Sequence, residues 1–441
     1  MSLIRLGFWA ASGAGGLSYW LSTLGGASSD QGHSVGIDSL GNNYSLGFTF
    51  STGAGNPDAF LAKRDVDGAV QWQRTLGGTN YEKGFSLVID SSNNIYEAGF
   101  TFSEGAGGDL LLAKYNSSGT LQWQRILGGS SEESGEGITS DSAGNVYVFG
   151  YSSSQGAGAY DLLLAKYNSS GALQWQRILG GSGNEFGRGI SIDSSDNLYV
   201  LGTEGSEGSG SSSLLLAKYN SSGTIQWQRI LAGSGADRAA GVSVDSSNNI
   251  YVLGHTESQG AGGRDLLLAK YNSSGTIQWQ RILGGSGGDE GNSVHFDSSD
   301  NVYVLGITAS SGEGNKDYLL AKYNSSGTIQ WQRTLGGSAA DEGISIKLDS
   351  LGAIYALGFT ASTGEGSDDL LLAKLPSDGS LTGTYTLDGV DIVYAPSSLT
   401  AATSTLTSST STLTAATSTL TTATSTLTDA SASLTSHIVE F

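Results

Sequence analysis

Residues 278–330 read QWQRILGGSGGDEGNSVHFDSSDNVYVLGITASSGEGNKDYLLAKYNSSGTIQ. Apolar residues such as Val294, Phe296 and Val302 alternate with smaller or more polar neighbours, which indicates β-strands. The segments DSSDN and YNSSG contain the Asp, Asn, Ser and Gly residues of tight turns. This stretch therefore predicts four short strands joined by polar loops, and neither turn could lie inside a helix.

The same stretch recurs along the chain with a period of 51 or 52 residues. Its tryptophans are Trp20, Trp72, Trp123, Trp175, Trp227, Trp279 and Trp331. The Asp-Ser turn, the Tyr strand and the Leu-Ala-Lys strand also occur seven times each. A four-stranded unit of about 50 residues has the size of a propeller blade. We therefore predict an all-β, seven-bladed β-propeller of four-stranded blades over residues 18–388, in which the tryptophans are structural blade residues.

The order of strands also predicts how the ring closes. The array begins with a Trp strand at Trp20 and ends with a Leu-Ala-Lys strand at Lys374. We expect strands from opposite ends of the array to pair in one blade, which leaves no open edge at the seam.

The motif Leu-Gly-Gly, Asp-Glu-Gly, Asp-Ser, Asn-x-Tyr-x-x-Gly-x-Thr-x-Ser, Asp-x-x-x-Ala-Lys and Ser-x-Gly resembles the β-propeller repeat (SBBP) family. It is nearly complete from Leu335 to Gly379, except for the Ala-Ile before Tyr355, and it recurs in every unit. The resemblance implies a propeller but no single activity. Residues 1–17 precede the array, and we predict that they form an attachment segment. Their sequence resembles the N-terminal segments of structural proteins of marine cyanobacterial phages.

Residues 399–441 form a Ser/Thr-rich tail after a predicted linker at 389–398. Its leucines recur every seven residues: Leu399, Leu406, Leu413, Leu420, Leu427 and Leu434. A small residue usually follows three positions after each leucine, which is typical of a closely packed coiled coil. We predict a helical coiled-coil tail that makes a homo-oligomer, with a trimer favoured, or that docks into a larger assembly. A disordered Ser/Thr stalk and a β-structured fibre segment are the alternatives.

Composition limits the classes of partner. The chain has no cysteine, so disulfides and thiolate metal sites are excluded. Its net charge of −20 opposes binding to nucleic acid or to an anionic membrane. No apolar stretch has the length of a transmembrane helix, and we expect no membrane insertion. The apolar run near Met1 is broken by Arg5 and Gly7, so we do not expect a signal peptide.

Candidate chemistry is sparse. The four histidines stand at non-equivalent points of the repeat, and no nucleophile elbow, zinc motif or phosphate-binding loop is present. We therefore predict no enzyme activity, no cofactor and no metal. Two sets of acidic residues recur in the units and admit cation binding. We favour a structural role for both sets, in which the carboxylates cap loop N–H groups or pair with basic residues. One set precedes the Leu-Ala-Lys strand, and the other follows Leu-Gly-Gly: Asp58, Asp109, Asp161, Asp265, Asp317 and Asp369; Asp30, Glu82, Glu133, Glu185, Asp237, Asp289/Glu290 and Asp341/Glu342.

These observations favour a non-enzymatic virion structural protein, such as a bacteriophage tail fibre, spike or capsid appendage. Its termini would assemble with other virion proteins, and its loops would attach to a glycan or protein on the host surface. The alternative is a secreted or cell-surface bacterial propeller that binds a glycan or a protein.

Overall fold

The computed structural model describes residues 18–55, 57–411, 413–418, 421–424, 428–432 and 434–441. These residues form β-strands and turns, and no helix occurs among them. The strands form seven blades around a central channel, so the predicted all-β seven-bladed propeller is confirmed. The predicted attachment segment at 1–17 lies outside the described residues.

The innermost strands of the blades contact one another around the axis. In the order of blades I to VII they are β2 (Asp30–Ile37), β6 (Glu82–Ile89), β10 (Glu133–Ser140), β14 (Phe186–Ile192), β18 (Asp237–Val244), β22 (Asp289–Phe296) and β26 (Asp341–Leu348).

The second and third strands form the middle of each blade, and all neighbouring pairs are antiparallel. The second strands are β3 (Asn43–Thr49), β7 (Ile95–Thr101), β11 (Val146–Ser152), β15 (Leu198–Glu204), β19 (Ile250–Thr256), β23 (Val302–Thr308) and β27 (Ile354–Thr360). The third strands are β4 (Asp58–Arg64), β8 (Asp109–Tyr115), β12 (Asp161–Tyr167), β16 (Ser213–Tyr219), β20 (Asp265–Tyr271), β24 (Asp317–Tyr323) and β28 (Asp369–Leu375). Their leucines and tyrosines are buried between neighbouring blades.

The fourth strands carry the repeated tryptophans. They are β5 (Val70–Gly77), β9 (Leu121–Gly128), β13 (Leu173–Gly180), β17 (Ile225–Ala232), β21 (Ile277–Gly284), β25 (Ile329–Gly336) and, in blade VII, β1 (Trp20–Gly25). Strand β1 pairs with β28, with Trp20 opposite Lys374. The two ends of the array therefore meet in one blade, as the order of strands predicts.

The turns between third and fourth strands join each blade to its neighbour. The indole of Trp279 donates to the carbonyl of Ser325 in the next blade at 3.3 Å, and Arg281 Nε donates to the carbonyl of Gly327 at 2.7 Å. Gly327 has φ 77°, and a Cβ there would lie 2.9 Å from Cδ2 of Trp279. Only glycine fits this position, which explains why each Asn-Ser-Ser turn ends in glycine.

The C-terminal tail adds a further strand to every blade. After the hairpin of β29 (Gly383–Leu387) and β30 (Val390–Pro396), the chain continues through β31 (Thr400–Thr403), β32 (Thr407–Thr410), β33 (Thr414–Thr417), β34 (Thr421–Thr424), β35 (Thr428–Ser431) and β36 (Thr435–Glu440). Strand β30 pairs with the fourth strand of blade VI, and β31 to β36 pair with those of blades V, IV, III, II, I and VII. We call β30 to β36 the strap, because they encircle the propeller in the reverse order of the blades. The segment predicted as a linker thus contains β30.

The prediction of a helical coiled-coil tail is wrong for the described residues. A heptad of leucines fits two helical turns, but here seven residues span one step from blade to blade. Four of the six leucines are buried between blades of the same chain: Leu399, Leu406, Leu413 and Leu434. Leu420 and Leu427 lie outside the described residues. Thr and Ser are weak helix formers, and Thr favours strands, so the outer edge of each blade outcompetes a helix for this tail.

Candidate functional site: the variable channel

Each first strand has an extra residue at the same point, where a β-bulge interrupts its pairing with the second strand. The bulge residues are His33, Phe85, Glu136, Arg188, Ala240, Asn292 and Ile344. All seven line a cavity of about 570 Å³ in the central channel. Bulges redirect side chains and are frequent next to functional sites.

The bulge position is occupied by a different residue in every blade. By contrast, the Ala-Lys of the third strand and the Tyr of the second strand are identical in all seven units. The scaffold positions are therefore repeated, while the channel positions vary. We call the end of the channel at which the first strands begin the mouth.

One side of the channel carries an ion pair. Arg188 Nη1 lies 3.7 Å from Glu136 Oε2, and Ser134 Oγ donates to Glu136 Oε1 at 2.7 Å. Burial raises the pKa of Glu136, and the charge of Arg188 opposes that rise. The Arg188 side chain is 43% exposed, so it remains accessible from the channel.

A second group of charges lies near the mouth in blades V and VI. Arg264 Nη1 donates to Glu290 Oε1 at 2.6 Å, and its Nε donates to Glu257 Oε1 at 3.2 Å. His255 Nδ1 is 3.7 Å from Glu290 Oε2. Burial lowers the pKa of His255, aided by the charges of Arg264 and Arg238 and opposed by Glu290. The exposed Arg238 stands opposite His255 across β18 and β19.

Two titratable residues occupy the deeper part of the channel wall. Lys347 lines the cavity, and burial lowers its pKa. His295 occupies the equivalent position of the neighbouring first strand, and burial, with the nearby charge of Lys347, lowers its pKa to about 3. His295 is therefore neutral at physiological pH and adds no charge to this part of the channel.

An aromatic strip runs outward from the channel across blades I and II. Ring centroids are 5.5 Å apart between Phe85 and Phe100, 5.3 Å between Phe100 and Phe102, and 6.5 Å between Phe102 and Tyr81. Phe102 is 42% exposed and Tyr81 is 53% exposed. Large exposed aromatic groups of this kind mark interaction sites.

The two acidic sets lie side by side at six of the seven junctions between blades and cap loop N–H groups; at the junction of blades IV and V, Ser213 takes the place of the Asp. Asp317 accepts from the amide of Gly314, and Asp341 accepts from the amide of Gly337 at 2.7 Å. Burial and the neighbouring carboxylate of Asp341 raise the pKa of Asp317 to about 7. No group of three or more His, Asp or Glu side chains is arranged to hold a metal ion in the part of the chain that the structure describes. The capping role expected from the sequence accounts for these contacts.

The repeated tryptophans, predicted as structural blade residues, lie on the fourth strands, towards the outside of the ring. Trp72, Trp123, Trp175, Trp227, Trp279 and Trp331 are half-buried against the next blade, whereas Trp20 is fully buried at the seam. His33 and His255 line the cavity, and His437 lies on the strap, where its Nδ1 is 2.7 Å from Asp388 Oδ1. The four histidines occupy non-equivalent positions of the repeat, as predicted. His33 and His295 nevertheless lie on first strands, and His255 lies on a second strand near the mouth.

Comparison with known proteins agrees with this architecture. The family model described as the beta-propeller repeat (SBBP) matches residues 122–156, 174–203 and 226–260. The chain is a β-propeller repeat protein. This β-propeller repeat protein is 23% identical over 286 residues to an uncharacterised WD repeat-containing protein of Acanthamoeba polyphaga mimivirus, which covers 55% of this chain and 19% of that protein. It is also 23% identical over 382 residues to the regulatory protein FlaEY of Caulobacter vibrioides, covering 70% of this chain and 40% of that protein. The chain thus spans less than half the length of either relative.

Solved structures match the chain at low identity and with TM-scores below 0.5. The WD40 domain of Neurospora crassa Pan2 is 8% identical with a TM-score of 0.44, covering 78% of the propeller chain and 88% of that domain. A polysaccharide lyase, an ulvanlyase, is 11% identical with a TM-score of 0.48, covering 80% and 96% of the two chains. No helix of the described residues is long and apolar enough to span a membrane.

No shared motif marks the channel residues, because the repeated pattern is that of the scaffold. The signal was nevertheless present: the residue that follows Asp-x-Gly, or its equivalent, in each unit changes from blade to blade. An alignment of the repeats shows the bulge position among those that differ from unit to unit.

Proposed function

We propose that this protein is a non-enzymatic binding module, in which the repeated residues build a closed scaffold and the varied residues of the channel mouth recognise a partner. The observation that carries the proposal is that seven different residues occupy the bulge position in the channel, while scaffold positions such as the Ala-Lys of the third strand are the same in all units. A site that binds an asymmetric partner needs such differences, whereas a purely architectural ring does not.

We further propose that the module acts as a surface component of a particle, as in a phage fibre, spike or capsid appendage. The strap supports this proposal, because in blades I to V it replaces an edge strand of eight residues with one of four, and short edges limit edge-to-edge association. Assembly with other virion proteins and attachment to a host glycan or protein belong to the same proposal. A secreted or cell-surface bacterial propeller is the second candidate, and the exposed aromatic strip favours glycan or protein binding in both cases.

Mass spectrometry of purified particles, cell envelopes and culture medium tests the location. Peptides of the chain should be enriched in particles, and enrichment in the medium or the envelope would favour the second candidate. Recovery from the cytoplasm alone would contradict both.

The binding role is tested with the purified full chain and a double variant, Arg188→Ser with Arg238→Ser. This variant should lose attachment to the surface with which the protein copurifies, while Gln226→Ser, an exposed change on the outer strand of blade IV, should not. Turnover of ester, phosphate or glycoside substrates by the wild type would contradict the non-enzymatic assignment.

A further inference from the structure

The basic residues of the chain fall into two groups with different roles. Thirteen of the 21 Lys and Arg residues belong to the repeated motif, seven in Ala-Lys and six in Gln-Trp-Gln-Arg. Their contacts join blades: Arg229 Nε, for example, donates to the carbonyl of Gly275, and Lys166 Nζ donates to the carbonyl of Ser221 at 3.5 Å. These cations therefore stabilise the scaffold.

Half of the remaining eight cations line the channel cavity. They are Arg188, Arg238, Arg264 and Lys347, and the carboxylates that line the same cavity are Glu136 and Glu290. The cavity therefore has a net positive charge inside a protein of net charge −20. Such a reversal of sign in a concave site favours an anionic ligand.

Three of these cations lie at different depths. Counted from the acidic residue that opens each unit's first strand, Arg238 is second, Arg188 fourth and Lys347 seventh. With a rise of about 3.3 Å per residue, they form a series that leads from the mouth into the channel. Lys347 has no hydrogen bond or ion pair with any residue that the structure describes, and Arg238 likewise has none. The Lys347 side chain is partly buried and that of Arg238 is exposed, so both can bind an anion that enters the channel.

The aromatic strip begins at the wall of the same cavity. Phe85 and His33 line the channel, their rings are 5.4 Å apart, and the strip continues through Phe100 to the exposed Phe102 and Tyr81. The residues equivalent to Phe102 in blades III to VII are Ser153, Gly205, Glu257, Ala309 and Ala361. The strip is therefore confined to the blade II side of the mouth, whereas the three cations of the series lie on blades IV, V and VII.

We propose that the channel, entered from its mouth, binds an acidic saccharide, whose successive acidic groups bind Arg238, Arg188 and Lys347 at increasing depth and whose sugar rings stack on Phe102 and Tyr81. The inference rests on the proposed binding function and names its ligand class. Flat apolar faces of sugar rings suit aromatic side chains, whereas carboxylate and sulfate groups suit Arg and Lys. The cavity of about 570 Å³ lies within the usual range for small-molecule sites. A long polyanion such as nucleic acid would be repelled by the remaining surface of the protein.

Calorimetric titration of the full chain tests the proposal with three probes: a galacturonic acid trisaccharide, a neutral galactose trisaccharide and inorganic sulfate. The acidic trisaccharide should bind at least tenfold more tightly than either other probe, and its affinity should fall with added salt. Equal affinity for the neutral trisaccharide would overturn the role of the cations. Sulfate binding as tight as that of the acidic trisaccharide would reduce the site to a free-anion site.

Single substitutions test the cationic and the aromatic residues of the site separately. Lys347→Met and Arg238→Gln should each weaken the acidic trisaccharide at least tenfold. Tyr81→Ala and Phe102→Ala should weaken the trisaccharide but leave binding of monomeric galacturonate unchanged. Lys316→Gln is the matched control, because Lys316 lies outside the cavity and is already bonded to Glu342 at 2.7 Å. It should leave the affinity unchanged.

Melting curves of each variant establish that it folds, and Lys347→Arg, which keeps the charge, should retain binding if Lys347→Met does not fold. Unchanged affinity in both Lys347→Met and Arg238→Gln would overturn the proposal. Should no saccharide bind while the Arg188/Arg238 double variant still loses surface attachment, the binding function would stand and the ligand class would fail.

Discussion

The side-chain amide of Gln280 donates to the backbone carbonyl of Leu406 at 2.9 Å, which ties the fourth strand of blade V to the strap 126 residues later. Gln73, Gln228 and Gln332 make the same bond to Leu434, Leu413 and Leu399. In these blades the second Gln of Gln-Trp-Gln-Arg thus donates to the backbone of a leucine of the heptad. The seven-residue period of the tail therefore matches the step from one blade to the next.

Removal of the strap should destabilise the ring and expose its edges. A variant that lacks residues 397–441 leaves the fourth strands of six blades without their outer partner. Each buried strap leucine contributes about 1.5–3 kcal/mol of burial, and open edges promote pairing between molecules. We expect a lower melting temperature and a mass that rises with concentration in light scattering. An unchanged midpoint with a constant mass would show that the strap is dispensable.

A charge inside the leucine series tests the trimer predicted from the sequence. Leu406 is 4% exposed within its own chain, so Leu406→Asp should lower the free energy of unfolding by about 2–5 kcal/mol. The mass in solution should not change, because the leucine is already covered. Thr410→Asp, an exposed strap position, is the control. A wild-type mass of three chains that falls to one in Leu406→Asp would restore the oligomer prediction.

Deletion of the strand that closes the ring should lower the melting temperature more than deletion of a loop residue. Residues 1–28 contain β1, whose Trp20 is fully buried, and the facing Lys374 Nζ donates to the carbonyl of Val66 in blade I at 3.0 Å. Loss of this strand opens blade VII, so a much lower melting temperature is expected than after removal of Gly263, around which space is open. Equal midpoints for the two variants in differential scanning calorimetry would refute this account of closure.

Stability should fall as pH rises from 5 to 8. Burial raises the pKa of Asp317 to about 7 and those of Asp58, Asp109 and Asp369 to about 6, with neighbouring carboxylates adding to the rise. Because an unfolded Asp has a pKa near 3.9, the folded protein holds more protons in this range, and its free energy of unfolding decreases as those protons are lost. Melting temperatures across this range should show the decline, and Asp317→Asn should reduce it.

Two histidines act in the opposite sense over part of that range. Burial lowers the pKa of His33 to about 4 and that of His295 to about 3, so their neutral forms stabilise the fold above pH 6.5 and the stabilisation is lost towards those values. The decline should therefore be clearest above pH 6.5. A melting temperature that rises from pH 6.5 to 8 would contradict the carboxylate account.

A chelator should leave the melting temperature unchanged within about 2 °C, because a structural metal contributes far more than this to stability. The paired carboxylates already accept backbone N–H groups, as between Glu82 and Gly78 at 2.7 Å. A large drop after chelation, reversed by added calcium, would instead establish cation binding at the junctions between blades.

The blade could be read from the sequence because each strand and turn is repeated and local. The turn at Asn324 to Gly327 and the strand around Tyr303 are specified by a few adjacent residues, and the count of such units gave the ring and its seam. The tail could not be read in this way. Leucines seven apart satisfy a helix seam or a step between blades equally well, and only the position of partners such as Gln280 distinguishes the two.

The channel was hidden for a different physical reason. Arg188 and Lys347 are separated by three repeats and lie in strands whose neighbours across the axis are distant in sequence. Their presence in the wall of one cavity follows from ring closure, which leaves no local pattern in the sequence. Variation within a repeated unit is therefore the observation that locates such a site.

The strap also changes how the molecule responds to a broken backbone. Every pair of neighbouring blades is joined twice, once by the loop that leads from one blade into the next and once by the strap that returns in the opposite direction. After a single proteolytic cut in a loop between blades, the strap strands of one fragment remain paired with the blades of the other, so both fragments stay in the ring. One cut therefore does not release a blade, because the other connection still holds that blade in the ring.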